Sequence, residues 1–108
     1  MSNEDVIYAA TDGTAVTTPE GGLERQVLAY NPRLMPVRYN LAKGWKGTRH
    51  KHLHDQLVYV VRGAIVFSGG GKTVEMHDGD SVVVAGDVEH EARAPEETEV
   101  LDVFTPYR

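Results

Sequence analysis

Three histidines at alternate positions, His50, His52 and His54, are the residues whose types and spacing best suit chemistry. If their segment is a strand, side chains two residues apart point to the same face, and three imidazoles lie together. Such a face does not suit an apolar core, whereas neutral imidazole is the commonest protein ligand of divalent metals. Gln56 continues the same alternation. The pattern therefore predicts a metal site on this strand.

A further ligand must come from elsewhere in the chain, and His90 is the candidate. It follows residues 79–89, which are typical of a turn, a short buried strand and a second turn. Ligands on one strand, joined by another roughly forty residues later, would meet in the mouth of a closed β-barrel.

The elements that must position these residues are predicted to be short strands. Apolar or alternating segments recur between Gly, Asp and Pro turns, and no window has sustained helical periodicity. This pattern predicts an all-β barrel or sandwich. Residues 1–22 are predicted to form an N-terminal arm and residues 23–108 the barrel domain. The predicted strands are 6–10, 24–30, 34–41, 57–61, 64–68, 72–76, 81–84, 90–94 and 99–104, and His50, His52 and His54 are predicted to lie on one further strand.

Composition narrows the class of protein. At 108 residues, with 41% hydrophobic and 25% charged residues, the chain is expected to be one globular domain. Because it has no cysteine, it forms no disulfide, and any metal must be held by nitrogen and oxygen. Such ligands admit zinc, nickel, iron, manganese or copper. The formal net charge of −5, without a basic run, argues against nucleic-acid binding.

The location and the partners are predicted from the ends and edges of the chain. No apolar run is long enough for a membrane-spanning helix, and the acidic first five residues do not resemble a secretory signal. A cytoplasmic protein that acts on a small molecule, without membrane partners, is therefore expected. The long arm and the apolar edge strands predict a homodimer with exchanged arms.

The histidine segment and His90 lie in two stretches that resemble the motifs of the cupin family. The first motif matches at Gly44, His50, His52, Gln56 and Gly63, and the second at Gly79, Asp80, Ala85 and His90. The resemblance implies a single-domain jelly-roll β-barrel. It also implies one divalent metal bound by His50, His52, Gln56 and His90.

Gln56 stands where the family usually has glutamate, and Ala85 where it usually has proline. A neutral amide cancels none of the metal's charge, so the site should attract an anionic substrate. Alternatively, Gln56 is a hydrogen-bonding neighbour of a ligand. His54 either supports the site or replaces His50 in a shifted register, and the spacing of the two motif glycines favours the first arrangement.

A narrower resemblance lies in the histidine segment and in the last eight residues. The sequences H-K-H-L-H-D-Q and L-D-V-F-T-P-Y-R are similar to those of KdgF-type cupins of pectin and alginate degradation. Those cupins open the ring of 4,5-unsaturated monouronates to the linear keto form. The resemblance implies that Asp102, Phe104 and Arg108 are catalytic. Similar tails also occur in small cupins with other activities, including polyketide cyclases.

Side chains of the last predicted strand alternate between its two faces. Leu101 and Val103 are expected to pack between the sheets, and the face of Asp102 and Phe104 either meets solvent or lines the lumen. In the lumen, Asp102 would be a general acid and base beside the metal. Arg108 would pair with a substrate carboxylate. Four other arginines compete for that role: Arg38, Arg49, Arg62 and Arg93.

The sequence leaves three functions open. The first is isomerisation or ring opening of a small anionic sugar such as an unsaturated uronate. The second is an iron- or nickel-dependent dioxygenase, since a three-histidine site with an open position also supports oxygen chemistry. The third is a barrel that binds a small molecule without catalysis.

Overall fold

Two antiparallel sheets, one large and one small, make up the computed structural model, which describes residues 5–105. The strands in that range are β1 Thr17–Glu20, β2 Leu23–Val27, β3 Met35–Leu41, β4 Asp55–Arg62, β5 Ala64–Gly69, β6 Lys72–His77, β7 Ser81–Val84, β8 His90–Arg93 and β9 Thr98–Thr105. The large sheet has the order β1-β2-β3-β9-β4-β7, and the small sheet has the order β6-β5-β8. The predicted all-β class is confirmed.

The core lies between the two sheets, because alternate side chains of both turn inward. Its buried members are Leu23, Leu41, Val58, Val60, Val84 and Val100 of the large sheet, and Ile65, Phe67 and Met76 of the small sheet. Burying each such side chain contributes about 1.5–3 kcal/mol relative to leaving it exposed. The same inward faces also line a cavity, so several core residues form the walls of the candidate site.

Strand β9 lies in the middle of the large sheet, paired with β3 on one side and β4 on the other. In this register, Asp102 lies opposite Val58 of β4. Val58 is buried in the core, and Asp102 faces the interior with it. Asp102 therefore lines the lumen, which is one of the two placements that the alternation allowed.

The expectation that Leu101 and Val103 pack between the sheets is wrong. Both are only half-buried, whereas Val100 and Asp102, of the opposite parity, are buried. The register with β4 decides this, because Val100 lies opposite the fully buried Val60. Leu101 and Val103 consequently lie on the outer face of the large sheet.

The prediction that the three histidines lie on one strand is also wrong. β4 begins only at Asp55, and His50 makes an isolated bridge with His90. The segment from His50 to Asp55 forms hydrogen bonds with a loop instead of with a neighbouring strand. The backbone amide of Asp87 donates to the carbonyl of His52 at 2.7 Å, and that of Gly86 donates to Asp55 Oδ1 at 2.9 Å.

The predicted strand at residues 6–10 is absent, and a 3₁₀ turn at Thr11–Gly13 follows that segment. Gln26 holds the turn against the sheet, since its side-chain amide donates to the carbonyls of Thr11 and Thr14. Val6 and Tyr8, before the turn, are each 86% exposed. The homodimer with exchanged arms stays a prediction. Among the described residues, no helix has the length and apolar character needed to cross a membrane.

Candidate metal centre

The side chains of His50, His52 and His90 converge at one end of the interior. Their nearest ring nitrogens all lie within 4.8 Å of one another. The isolated bridge brings His50 and His90 together, because each backbone amide donates to the other's carbonyl, at 2.9 and 2.8 Å. His52, two residues further on, completes the group, with its ring centre 5.1 Å from that of His90. This group can hold a metal ion.

Backbone carbonyls fix how two of these rings are protonated. Nδ1 of His50 lies 2.8 Å from the carbonyl oxygen of Thr48, and Nδ1 of His90 lies 2.8 Å from that of Val88. Since a carbonyl only accepts hydrogen bonds, each Nδ1 must carry the hydrogen. Each Nε2 is then left with a free lone pair, the form in which imidazole binds a metal.

The Nε2 atom of His90 is buried and makes no hydrogen bond within the described chain. Leaving such a buried atom unpaired costs about 1–3 kcal/mol, which a bound cation would offset. Burial lowers the pKa of His90, and the neighbouring His50 and His52 act in the same direction. The ring therefore favours the neutral form that a ligand needs.

His52 lies between two acceptors. Its Nδ1 is 3.2 Å from the carbonyl oxygen of His54, and its Nε2 is 2.9 Å from Oε1 of Gln56. A neutral imidazole has one N–H, so one of these contacts brings two lone pairs together. If Nδ1 carries the hydrogen, as in the other two rings, a cation between His52 and Gln56 resolves the conflict. The donor set therefore fits a divalent metal with Gln56 as the fourth protein ligand.

Gln56 is held from the other side by Asp102. The Gln56 side-chain Nε2 donates to Asp102 Oδ2 at 2.7 Å, and both side chains are buried. The second carboxylate oxygen, Oδ1, is buried and has no hydrogen-bond partner within the described residues. Burial raises the pKa of Asp102 to about 7, while the bond from Gln56 opposes the rise. At neutral pH Asp102 can thus either accept or donate a proton.

A cavity of about 340 Å³ adjoins these groups. It is lined by His50, His52, Gln56, His90, Asp102 and Phe104 at the candidate site, and by Leu23, Tyr39, Leu41, Trp45, Val58, Ile65, Phe67, Ala92 and Val100 along its walls. Trp45 Nε1 donates to Glu20 Oε2 at 2.9 Å, and both residues also border the cavity. A small molecule can therefore reach the histidines and Asp102 together.

The competing arginines do not line this cavity. Arg38 and Arg62 pair with Glu99, and Arg49 pairs with Glu89 on the surface. Among the described residues that line the cavity, none is Arg or Lys. Arg108, the predicted carboxylate partner, lies outside the described residues.

Two neighbours of the predicted site contact it from the sides. His54 is not part of the three-histidine group, and its ring centre lies 6.0 Å from that of Phe104. Phe104 also meets His52 edge to face, with ring centres 5.6 Å apart. This arrangement matches the register in which His50 and His52 belong to the group, and His54 borders it.

Tyr39, which lines the cavity, has a polar neighbour that the sequence motifs did not indicate, Arg25. The two residues lie opposite each other in β3 and β2, and the Arg25 side chain is near enough to the Tyr39 hydroxyl to influence its pKa. Burial raises the pKa of Tyr39, the neighbouring Arg25 side chain opposes this, and nearby Asp102 adds to the rise. Neither residue belongs to a motif, so only the pairing of the strands could have found them.

Two facing antiparallel sheets around a cavity, with three histidines at one end, define a small β-barrel protein that can hold a metal. The Cupin domain family matches residues 37–104, and the chain belongs to this family. The predicted family membership is confirmed. No curated protein matches the sequence.

Solved structures agree with this assignment. An RmlC-like cupin from Shewanella frigidimarina NCIMB 400 is 34% identical with a TM-score of 0.89, and the match covers 98% of this chain and 94% of that one. KdgF from Halomonas sp. is 33% identical with a TM-score of 0.87, and the match covers 94% of each chain. The predicted likeness to KdgF is confirmed.

Salicylate 1,2-dioxygenase from Pseudoaminobacter salicylatoxidans, in a structure with gentisate adducts, is only 18% identical. Its TM-score is 0.74, and the match covers 82% of this chain and 26% of that one. A likeness at this level of identity shows the shared fold alone.

Proposed function

We propose that this protein is a metal-dependent enzyme that opens the ring of a small anionic sugar, such as a 4,5-unsaturated uronate, to the linear keto form. The observation that carries the proposal is Asp102, which lines the cavity together with the three histidines and whose buried Oδ1 has no hydrogen-bond partner among the described residues. The resemblance of the histidine segment and the tail to KdgF-type cupins supports the choice of substrate, as does the likeness to KdgF from Halomonas sp..

The proposed ligands are His50, His52, His90 and the amide oxygen of Gln56. A divalent metal held there would act as a Lewis acid that stabilises negative charge on substrate oxygens. All four ligands are neutral, so they leave the cation's charge uncompensated. This favours a substrate that carries a carboxylate.

Asp102 is the proposed proton carrier. Ring opening breaks the bond between C1 and the ring oxygen, so the C1 hydroxyl loses a proton and the ring oxygen gains one. The resulting enol then loses its hydroxyl proton and gains a proton at C4, which produces the ketone. The Asp102 carboxylate can take a proton in each stage and return it, and it ends each stage in its starting form.

Phe104 and Arg108 complete the proposed site. Phe104 packs against the ring of His52 and forms the apolar wall next to Asp102, where it would exclude water from the reacting atoms. Arg108 would pair with the substrate carboxylate through its planar guanidinium group. The described residues that line the cavity include no Arg or Lys, and the resemblance of the tail to KdgF-type cupins supports Arg108 in this role.

The test is Asp102→Asn, compared with wild type on an unsaturated monouronate, with ring opening followed by proton NMR. Loss of a general acid and base lowers the rate about 10²- to 10⁴-fold. Metal content is measured in both proteins, so that a lost metal is not mistaken for a lost proton carrier. Full activity in the variant would rule out this role for Asp102, and an inactive, metal-loaded wild type would rule out the substrate.

The apolar walls favour a second candidate, an iron- or nickel-dependent dioxygenase whose substrate has an apolar part. Leu23, Leu41 and Val100 also line the cavity, and their side chains offer a sugar no hydrogen bonds. A three-histidine site with open positions suits ferrous iron. Oxygen consumption by the iron-loaded protein with small aromatic carboxylates would support it. A protein that binds such ligands without turnover would be a binding barrel.

A further inference from the structure

The two ends of the Gln56 side-chain amide face different partners. Oε1 lies 2.9 Å from His52 Nε2, and Nε2 lies 2.7 Å from Asp102 Oδ2. Packing fixes where the amide lies, but the oxygen and nitrogen ends have almost the same shape. A half-turn about the last side-chain bond would exchange them. Some neighbour must therefore determine which end faces His52.

Asp102 has the chemistry to make that choice. An ionised carboxylate only accepts hydrogen bonds, so it selects the amide's NH₂ end and turns the oxygen towards His52. Gln56 on β4 and Asp102 on β9 belong to neighbouring strands, because Val58, two residues after Gln56, lies opposite Asp102. Both residues therefore face the interior as diagonal neighbours.

We propose that Asp102 is also the positioning residue for Gln56, and that it presents the amide oxygen to the metal. The inference rests on the proposed metal site but not on the identity of the substrate. The two oxygens of Asp102 then have separate roles. Oδ2 orients the ligand, and Oδ1, which has no hydrogen-bond partner within the described chain, remains for the substrate.

The proposal also gives a physical reason for glutamine at position 56, where cupins usually have glutamate. With Gln56→Glu, two carboxylates would meet at the place of the 2.7 Å bond, with no N–H between them. Glutamine supplies that N–H and still offers an oxygen to the metal. Gln56 and Asp102 are thus a matched donor and acceptor pair.

The first experiment compares two variants with equal charge, Asp102→Asn and Asp102→Leu, in the whole chain. Both lose the carboxylate charge, but asparagine keeps an oxygen that can accept from Gln56 Nε2. The affinity for Zn²⁺ is measured by competition with a chromogenic chelator. We expect Asp102→Leu to bind Zn²⁺ about 10- to 100-fold more weakly than Asp102→Asn, the usual effect of losing the partner of a ligand.

A spectroscopic readout separates orientation from general damage to the fold. With Co²⁺ in place of Zn²⁺, we expect Asp102→Asn to keep the visible absorption spectrum of the wild type, and Asp102→Leu to change it. Thermal unfolding of both variants without metal shows whether they are equally folded. Equal Zn²⁺ affinities and identical Co²⁺ spectra in the two variants would overturn the positioning role.

A second experiment needs no apolar replacement and decides the matter if Asp102→Leu does not fold. It compares Zn²⁺ affinity in Gln56→Glu and in the double variant Gln56→Glu/Asp102→Asn. If the pair is matched, adding Asp102→Asn to Gln56→Glu raises the affinity, because the asparagine amide donates to the new carboxylate. Simple charge attraction predicts the opposite, since removing a carboxylate would weaken cation binding. A decrease would therefore overturn the proposal.

The wild-type protein separates this inference from the proposed function. A wild type that binds neither Zn²⁺ nor Co²⁺ would overturn both. Metal binding in the wild type, with the expected difference between the two Asp102 variants, supports the positioning role even if uronates are not the substrate.

Discussion

The side-chain Nε2 of Gln56 lies 2.7 Å from Oδ2 of Asp102, although the two residues are 46 positions apart in the chain. One residue comes from the first cupin motif and the other from the last strand, so this bond joins the candidate metal site to the candidate proton carrier. A change that breaks this bond should therefore affect both metal binding and catalysis.

Removal of a ligand histidine should remove the metal. We expect about one equivalent of a divalent metal in the purified wild type and little in His52→Ala, because loss of a ligand sharply lowers metal affinity. Elemental analysis measures both. His77→Ala is the control, because His77 is exposed and paired with Glu75 outside the three-histidine group. Equal metal content in all three proteins would contradict the site.

The stability of the metal-free protein should depend on the ionisation of Asp102. Burial raises its pKa in the folded protein from 3.8 to about 7, so the fold favours the protonated form. Between those two values the folded protein binds more protons than the unfolded chain, and its free energy of unfolding falls as the pH rises. Above about pH 7 this contribution is lost in full.

Asp102→Asn isolates this effect. The variant lacks the titrating group, so its stability relative to wild type should increase from pH 5 to pH 8. Urea unfolding of both proteins after chelation measures the difference. His90 also titrates in this range, but it contributes equally to both proteins. Burial lowers its pKa in the folded protein, so stability falls as the pH drops through the pKa that His90 has in the unfolded chain. Parallel stability profiles would show that Asp102 has an ordinary pKa in the folded protein.

Gly63 should tolerate no side chain. Its φ is +104°, and an added Cβ would lie 2.5 Å from Thr98 Oγ1 and 2.6 Å from the carbonyl oxygen of Glu97. We expect Gly63→Ala to lower the free energy of unfolding by about 2–4 kcal/mol, from strain and displaced backbone. Gly71→Ala is the control, because Gly71 also has a positive φ, of +76°, but open space around it.

The control should cost only about 1 kcal/mol, since it suffers the backbone strain without the collision. Urea unfolding gives both values. An equal loss in the two variants would mean that the close approach of Thr98 and Glu97 to Gly63 is unimportant.

Asp55 should maintain the position of the histidine segment. Its Oδ1 accepts from the backbone amide of Gly86, which ties the start of β4 to the loop before His90. We expect Asp55→Ala to weaken Zn²⁺ binding about tenfold, because it loosens the segment that carries His50 and His52. The chelator competition used for the Asp102 variants measures this.

The matched control is Asp78→Ala. Asp78 Oδ1 accepts from the backbone amide of Gly63 at 2.7 Å, a bond of the same kind outside the cavity and the three-histidine group. Its removal should lower stability to a similar extent without changing the affinity for Zn²⁺. Loss of metal affinity in both variants would show that general destabilisation weakens the site.

Much of the fold followed from local patterns. The turns at Gly63, Gly71 and Gly79 have the positive φ values that only glycine adopts easily, and they separate strands close to the predicted ones. The histidine segment was misassigned because alternation alone does not show whether a neighbouring strand is present to pair with it. β1 was not predicted, since its fully exposed sequence has no buried face to produce a pattern.

The sequence by itself determined the all-β class, the cupin family and the three histidines that come together, because turn residues, alternation and motif spacing are local properties of the chain. Only the tertiary structure decided that Asp102 faces the lumen and Leu101 the outer surface. It alone also joined Asp102 to Gln56 and placed Arg25 opposite Tyr39. These relations depend on the register of β9 between β3 and β4 and of β2 against β3, and a register is set by packing between segments distant in sequence.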